Sequence, residues 1–342
     1  MPESFDVVTG GAGFIGSHLV DALIGDGRRV RVIDNLSVGR LANLALNRSN
    51  PALEVAIADI ADKPAMMRLI EGAERVFHLG ALADIVPSIQ QPEAYFRANV
   101  DGTFAVLEAA RAHSVKRFVY AASSSCYGIP AAYPTPESAP ADPQYPYALT
   151  KYLGEQMVMH WAKVYDLPAL SLRFFNVYGP RARTSGSYGA VFGVFLAQML
   201  NGKPLTVVGD GEQTRDFTFV SDVVGAIRAA AASDRKAEIY NVGSNATVSV
   251  NRLVELLGQS ANTVRLPKRP GEPDCTLADI TRIGERLGWK PQVSIEEGVA
   301  VMLDNLDYWR DAPIWTAEKI QDATADWFKF LGKPAMTGNG AG

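Results

Sequence analysis

The chain has 342 residues, 47% of them hydrophobic and 20% charged, with a formal net charge of −4. That length supports one large or two moderate domains around a sizeable core. A mildly acidic chain without a basic cluster argues against nucleic-acid or anionic-membrane binding. Cys126 and Cys275, far apart in sequence, make neither a disulfide framework nor a metal-ligand pattern, and they fit a reducing cytoplasm. Residues 1–4 lead straight into an apolar strand pattern, so no signal peptide is expected. The apolar stretch 189–200 is too short to span a bilayer. A cytoplasmic protein without a membrane partner is expected.

Strand patterns at 5–9, 29–34, 53–58, 75–78, 117–121 and 169–173 alternate with helical patterns at 14–24, 63–71, 92–113 and 145–165. Strand and helix repeated with short connections read as a doubly wound α/β fold, a parallel sheet covered on both faces. Phe118-Val119-Tyr120-Ala121-Ala122 lacks polar alternation, as a strand buried on both faces should. Beyond residue 175, glycine- and proline-rich turns separate helical patterns at 190–200, 221–231, 250–258 and 294–310. The expected layout is a sheet domain over 1–175 and a smaller C-terminal α/β region over 176–335, partly interleaved with the sheet. Residues 336–342 are expected to form a flexible tail.

Thr9-Gly10-Gly11-Ala12-Gly13-Phe14-Ile15-Gly16 follows the first strand and opens the first helix. Gly10 permits the tight turn, Gly13 lets a pyrophosphate approach the backbone, and Gly16 lets helix and strand pack closely. The helix N-terminus offers free N–H groups to the phosphates. The second strand ends in Asp34, whose carboxylate can accept from a ribose 2′-OH and would repel a 2′-phosphate. This makes a Rossmann-type fold that prefers NAD to NADP, although Arg40 stands nearby.

Ser123-Ser124-Ser125-Cys126-Tyr127-Gly128 follows the fifth strand, and Tyr147-Ala148-Leu149-Thr150-Lys151 begins a helix. Tyr147 and Lys151 share one helix face. A phenol is a poor base at neutral pH. A nearby ammonium and a cationic nicotinamide should both favour the phenolate and lower its pKa. Tyr147 can then take a hydroxyl proton while hydride leaves the same carbon, with Ser123 hydrogen-bonding that oxygen. Alone, Tyr-x-x-x-Lys reads as a surface helix; the glycine motif and the serine loop change that reading. His18, His78, His113 and His160 form no metal set and are expected in structural roles.

Together these residues resemble the extended short-chain dehydrogenase/reductase family, the NAD-dependent epimerase/dehydratase group. The resemblance runs from about Val7 to Trp289. It includes Asp34-Asn35-Leu36, Ala58-Asp59-Ile60, His78-Leu79-Gly80-Ala81 and Asn99-Val100-Asp101-Gly102-Thr103. It also includes the stretch from Leu172 to Pro180 and Gly211-Glu212-Gln213-Thr214-Arg215-Asp216-Phe217. The resemblance implies that Asn35, Asp59, Ile60, Leu79, Ala81, Asn99 and Phe174 join Gly10, Gly13, Phe14, Ile15, Gly16, Asp34, Tyr147 and Lys151 around the cofactor. Asp59 and Ile60 border the adenine, Asn99 is a structural asparagine near the active site, and Phe174 packs on nicotinamide. For the substrate it implies Ser124, Ser125, Asn176, Ala190, Val191, Arg215, Arg269 and Glu272. The two arginines hold a diphosphate, which suits their planar donors, and Glu272 touches the nucleotide ribose.

Members that dehydrate sugars resemble a Thr-Asp-Glu-x-Tyr-Gly loop, whose carboxylates drive elimination. Here Ser124 and Ser125 stand in those places. Decarboxylating members carry a glutamate there, and 3,5-epimerases use a cysteine two residues before the loop tyrosine. Cys126 directly precedes Tyr127 and reads as a packing residue. The expected reaction is C4 epimerisation of a nucleotide-diphosphate sugar, in the pattern of UDP-N-acetylhexosamine and UDP-glucose 4-epimerases. The segment 84–91 departs from that subgroup, which leaves the hexose and the base open. The alternatives are another NAD-dependent dehydratase, decarboxylase or net oxidoreductase on such a sugar, and a non-catalytic nucleotide-binding regulator. The resemblance also implies a homodimer through a four-helix bundle of helices 92–113 and 145–165. Phe104, Val106, Leu107, Leu153, Met157 and Trp161 are available for that seam or for the core.

Overall fold

The computed structural model describes residues 4–182 and 191–332. Seven parallel strands form the main sheet: β1 Phe5–Thr9, β2 Arg29–Asp34, β3 Leu53–Ile57, β4 Ala73–His78, β5 Arg117–Ser123, β6 Ala169–Phe174 and β7 Glu238–Val242. Their spatial order is β7-β6-β5-β4-β1-β2-β3. The order reverses beside β1, and ligands of such sheets bind outside the carboxyl ends of the strands at that point.

The inner strands β5 and β6 are buried because helices cover both faces, whereas the edge strand β3 is largely open to solvent. On one face lie α1 (Phe14–Gly25) and, later in the chain, Val220–Ala232. Leu19, Val20 and Leu23 share a core there with Val223, Ile227 and Ala230. The other face carries α2 (Lys63–Ile70), α3 (Gly102–Ala112) and α4 (Pro146–Val164), through Met66, Val106 and Val158. A third core, built around Phe195, Leu205, Leu253, Met302 and Trp309, holds the remaining C-terminal elements together.

β7 adds a strand beside β6, and Val220–Ala232 returns to the sheet face, so the chain after residue 175 rejoins the first layer. Two features were not expected from the sequence. The pattern at 92–113 is a helical run interrupted by a π turn at Arg97–Asp101. A final amphipathic helix, Ala317–Leu331, buries Ile320, Thr324 and Trp327. The expected tail 336–342 lies outside the described residues. No helix among the described residues is long and apolar enough to cross a membrane.

Candidate active site

A cleft of about 880 Å³ runs along the carboxyl ends of the strands. At one end lies the glycine turn. Gly10 has φ +68, and a Cβ on it would sit 2.8 Å from the Gly80 nitrogen. A Cβ on Gly16 would sit 2.2 Å from the Gly10 oxygen. Gly10, Gly13, Phe14, Ile15 and Gly16 all line the cleft. Asp34 accepts from the backbone N–H groups of Ala12 (3.0 Å) and Leu36 (2.8 Å), which aims its carboxyl along the turn. Burial raises its pKa, and those two hydrogen bonds oppose the rise. Asn35, Asp59, Ile60, Leu79 and Ala81 also line this end. Asp59 accepts from Arg97 at 2.5 Å. Arg40 does not line the cleft: its guanidinium lies 4.9 Å over the Tyr308 ring and donates to that hydroxyl. The arginine that kept NADP open in the sequence is thus engaged elsewhere.

The middle of the cleft holds Ser123 and Tyr147. β5 ends at Ser123, and a tight turn, Ser124–Tyr127, follows. The Ser123 Oγ accepts from the Ser125 N–H (3.2 Å) and lies 2.8 Å from the Ser125 hydroxyl. Pro146 starts α4 at its first position, where the missing N–H costs nothing. Tyr147 in that first turn lines the cleft with Ser123, whose hydroxyl works to lower the phenol's pKa. One turn further, Lys151 is buried with its Nζ 4.2 Å above the Tyr120 ring. Loss of hydration pushes its ammonium down to about 7, while Glu155 pulls it up. Burial also raises the Tyr147 phenol, and only the Ser123 hydrogen bond works to lower it. In the cofactor-free protein, burial therefore holds this pKa above its ordinary value; the lowering expected from the sequence includes a cationic nicotinamide beside the phenol.

Lys151 and Asn99 stand behind the cleft wall, not in it. From its π turn, Asn99 accepts from the Leu82 N–H (2.8 Å). Its amide donates to the Leu82 carbonyl (3.0 Å) and the Thr150 hydroxyl (3.0 Å). It therefore pins the loop after β4 to the helix that bears Tyr147. His78 is buried between the hydroxyls of Thr9 (2.7 Å) and Thr103 (3.0 Å), and burial pushes its pKa down to about 3. The imidazole is neutral and structural. The Cys126 thiol is buried, pushed up to about 12 by desolvation, and packs with Tyr127, Phe175 and Ala278.

At the far end, Arg215 donates to Glu272 at 3.0 Å, and Arg269 lies 3.9 Å from the same carboxylate. Ser124, Ser125, Phe174, Asn176 and Val191 line the wall between, and the Asn176 side chain accepts from Thr276 (2.9 Å). Ala190 lies outside the described residues. Two lining residues were missed in the sequence. Tyr145 stacks parallel to Tyr147 with ring centroids 6.4 Å apart, and Trp327 lies 6.3 Å from Tyr145. The position of Tyr145 beside Pro146 offered a signal; Trp327 offered none, because it arrives from the far end of the chain.

A family model described as GDP-mannose 4,6 dehydratase matches residues 7–302. The chain belongs to this NAD-dependent epimerase/dehydratase family. It is similar to a UDP-glucose 4-epimerase of Mycolicibacterium smegmatis, with 38% identity over 86% of this chain and 96% of the relative. It is also similar to UDP-glucuronic acid decarboxylase 1 of Arabidopsis thaliana, at 33% over 87% of this chain and 69% of the relative. A crystal structure of UDP-glucuronic acid 4-epimerase from Bacillus cereus, in complex with UDP-glucuronic acid and NAD, superposes with a TM-score of 0.82. That match has 31% identity and covers 88% of this chain and 98% of that one.

The epimerase/dehydratase-family enzyme described here uses NAD. Its residues fit that cofactor: the turn at Gly10 and Gly16 leaves no room for a Cβ, and the Asp34 carboxyl stands at its edge. The wall also brings a hydroxyl pair, Ser123 and Tyr147, between the glycine turn and an arginine pair.

Proposed function

We propose that the enzyme epimerises a nucleotide-diphosphate sugar at C4. The observation that carries this reading is the loop after β5. Its Ser123, Ser124 and Ser125 present hydroxyls to the cleft beside Tyr147 and no carboxylate that could drive elimination. In this reading Gly10, Gly13, Phe14, Ile15 and Gly16 cradle the cofactor pyrophosphate, and Asp34 and Asn35 hold the adenosine ribose. Asp59, Ile60, Leu79, Ala81 and Phe174 flank the rings, with Asn99 positioning that wall. NAD held there would supply the hydride acceptor and donor for the sugar carbon. Tyr147 removes the hydroxyl proton from that carbon's oxygen and gives it back, and Ser123 hydrogen-bonds the same oxygen. Lys151 supports the phenolate from behind. Arg215 and Arg269 grip the diphosphate, Glu272 meets the nucleotide ribose, and Ser124, Ser125, Asn176, Val191 and Ala190 contact the substrate. A gripped diphosphate lets the 4-keto sugar turn over without leaving the cleft.

The division of labour is a cofactor domain over 1–175 and a substrate region over 176–335. Two chains pair through the helices at 92–113 and 145–165. Phe96, Phe104 and Leu149 on those helices are 47%, 39% and 45% exposed, an apolar patch that a partner helix pair would cover.

NMR of products from a panel of UDP-, GDP-, CDP- and dTDP-sugars tests the reaction. The expected result is a C4 epimer with no accumulation of NADH. Loss of carbon dioxide would instead favour the decarboxylase reading suggested by the Arabidopsis relative, and a 4-keto-6-deoxy product would favour dehydration.

A further inference from the structure

The helix Ala317–Leu331 lies beyond residue 302, where the family match ends, yet it forms part of the cleft wall. Its buried residues Ile320, Thr324 and Trp327 follow helical spacing and face the body of the protein. Across that interface Gln90 donates to Asp326 at 3.2 Å, from the short helix Ile85–Gln90. That helix falls within the segment that departs from the UDP-sugar epimerase pattern in the sequence, so two unusual segments of this chain meet each other.

The contact that matters for the site is made by Trp327. Its indole N–H donates to the Pro270 carbonyl at 2.7 Å. The Arg269 guanidinium lies 5.4 Å from its ring centroid. The Tyr145 ring supports the indole from another side. Trp327 thus holds both the backbone and the side chain of the loop that carries Arg269 and Glu272.

We propose that Trp327 is a positioning residue that holds Arg269 in place for the diphosphate of the substrate. This rests on the nucleotide-sugar reading above. Without the indole, Arg269 loses the ring against its guanidinium and the hydrogen bond that anchors its loop at Pro270, so the cost falls on ground-state affinity. Turnover at saturation is set by Tyr147 and Ser123 at the other end.

The test uses the NAD-loaded enzyme, with UDP as a calorimetric probe and UDP-glucose for turnover. Trp327→Ala should weaken UDP binding by about tenfold, given what a ring–cation contact and one hydrogen bond contribute. Trp327→Phe, which keeps a ring but loses the donor, should weaken it by about threefold. Bound NAD should not change, and kcat with UDP-glucose should stay within about twofold while KM rises. In an Arg269→Ala background, Trp327→Ala should add little, because the two act as one unit. Unchanged UDP affinity in both Trp327 variants would overturn the proposal, as would full additivity with Arg269→Ala. A wild-type enzyme that binds UDP while the Trp327 variants lose NAD would assign the residue a purely structural role. A wild-type enzyme that binds no UDP, GDP, CDP or dTDP would overturn the nucleotide-sugar reading first, and this proposal with it.

Discussion

At the scale of single residues, Tyr147 and Lys151 behave as a coupled problem in burial. Burial raises the phenol's pKa and pushes the ammonium down to about 7, so in the protein alone burial disfavours the charged form of each. A cationic ring docked beside them would favour the phenolate, which ties readiness to the presence of oxidised cofactor. Removing the phenol hydroxyl in Tyr147→Phe should lower kcat by about 10²–10⁴ while NAD affinity stays unchanged, read by steady-state turnover and cofactor titration. Lys151 also has a stability signature. Its folded pKa lies below the ordinary value of 10.5, so the unfolded chain binds the extra proton between about 7 and 10.5. Stability therefore rises with pH across that window, and the full cost of burial is present below it. Lys151→Met should stabilise the cofactor-free protein by on the order of 3 kcal/mol at pH 6, with the gain shrinking as pH climbs towards 10. Calorimetric melts at pH 6 and pH 9 would check this; a gain independent of pH would contradict it.

At the scale of elements, two junctions set the geometry of the cleft. The first is the turn between β1 and α1. A methyl group on Gly16 would meet the Gly10 oxygen at 2.2 Å and the Gly11 Cα at 2.8 Å, so the helix start would have to move away from the strand. Gly16→Ala should weaken NAD binding by about tenfold or more, measured by fluorescence titration. The second junction joins α4 to β6. Glu155 and Arg173 are both buried and paired at 2.5 Å, and Arg173 also donates to the Tyr127 hydroxyl at 2.8 Å. This pair links the helix bearing Tyr147 to the loop bearing Ser123. Breaking one side leaves a buried charge without its partner. Arg173→Met should cost about 3–5 kcal/mol in urea unfolding, and the double variant Arg173→Met/Glu155→Leu should recover much of that loss.

At the scale of the whole molecule, the cleft lies where the strand order reverses, and later parts of the chain close it. β7 and the helix Val220–Ala232 rejoin the sheet, while Trp327 reaches the site from the last described helix. The exposed apolar side chains on the helices at 92–113 and 145–165 give an expectation for assembly. Phe104 packs edge-on to Trp161 at 5.9 Å and remains partly open to solvent. Light scattering at micromolar concentration should give the mass of two chains, and Phe104→Glu should shift it towards one by placing a charge in the seam. A wild-type monomer would reject the pairing.

The amino-acid sequence by itself determined the sheet of the first half and the order of its strands along the chain. Apolar runs buried on both faces, glycines at 10, 13 and 16 and the spacing of Tyr147 and Lys151 are local signals, and local signals are written in neighbouring residues. The π turn that aims Asn99 at Leu82, the return of β7 to the sheet and the diversion of Arg40 to Tyr308 were decided only in three dimensions. The same holds for the raised pKa of the Tyr147 phenol and the placement of Trp327 against Arg269. Each of these depends on partners far apart in the chain or on how much water remains around a charge. Sequence spacing carries neither quantity; packing sets both.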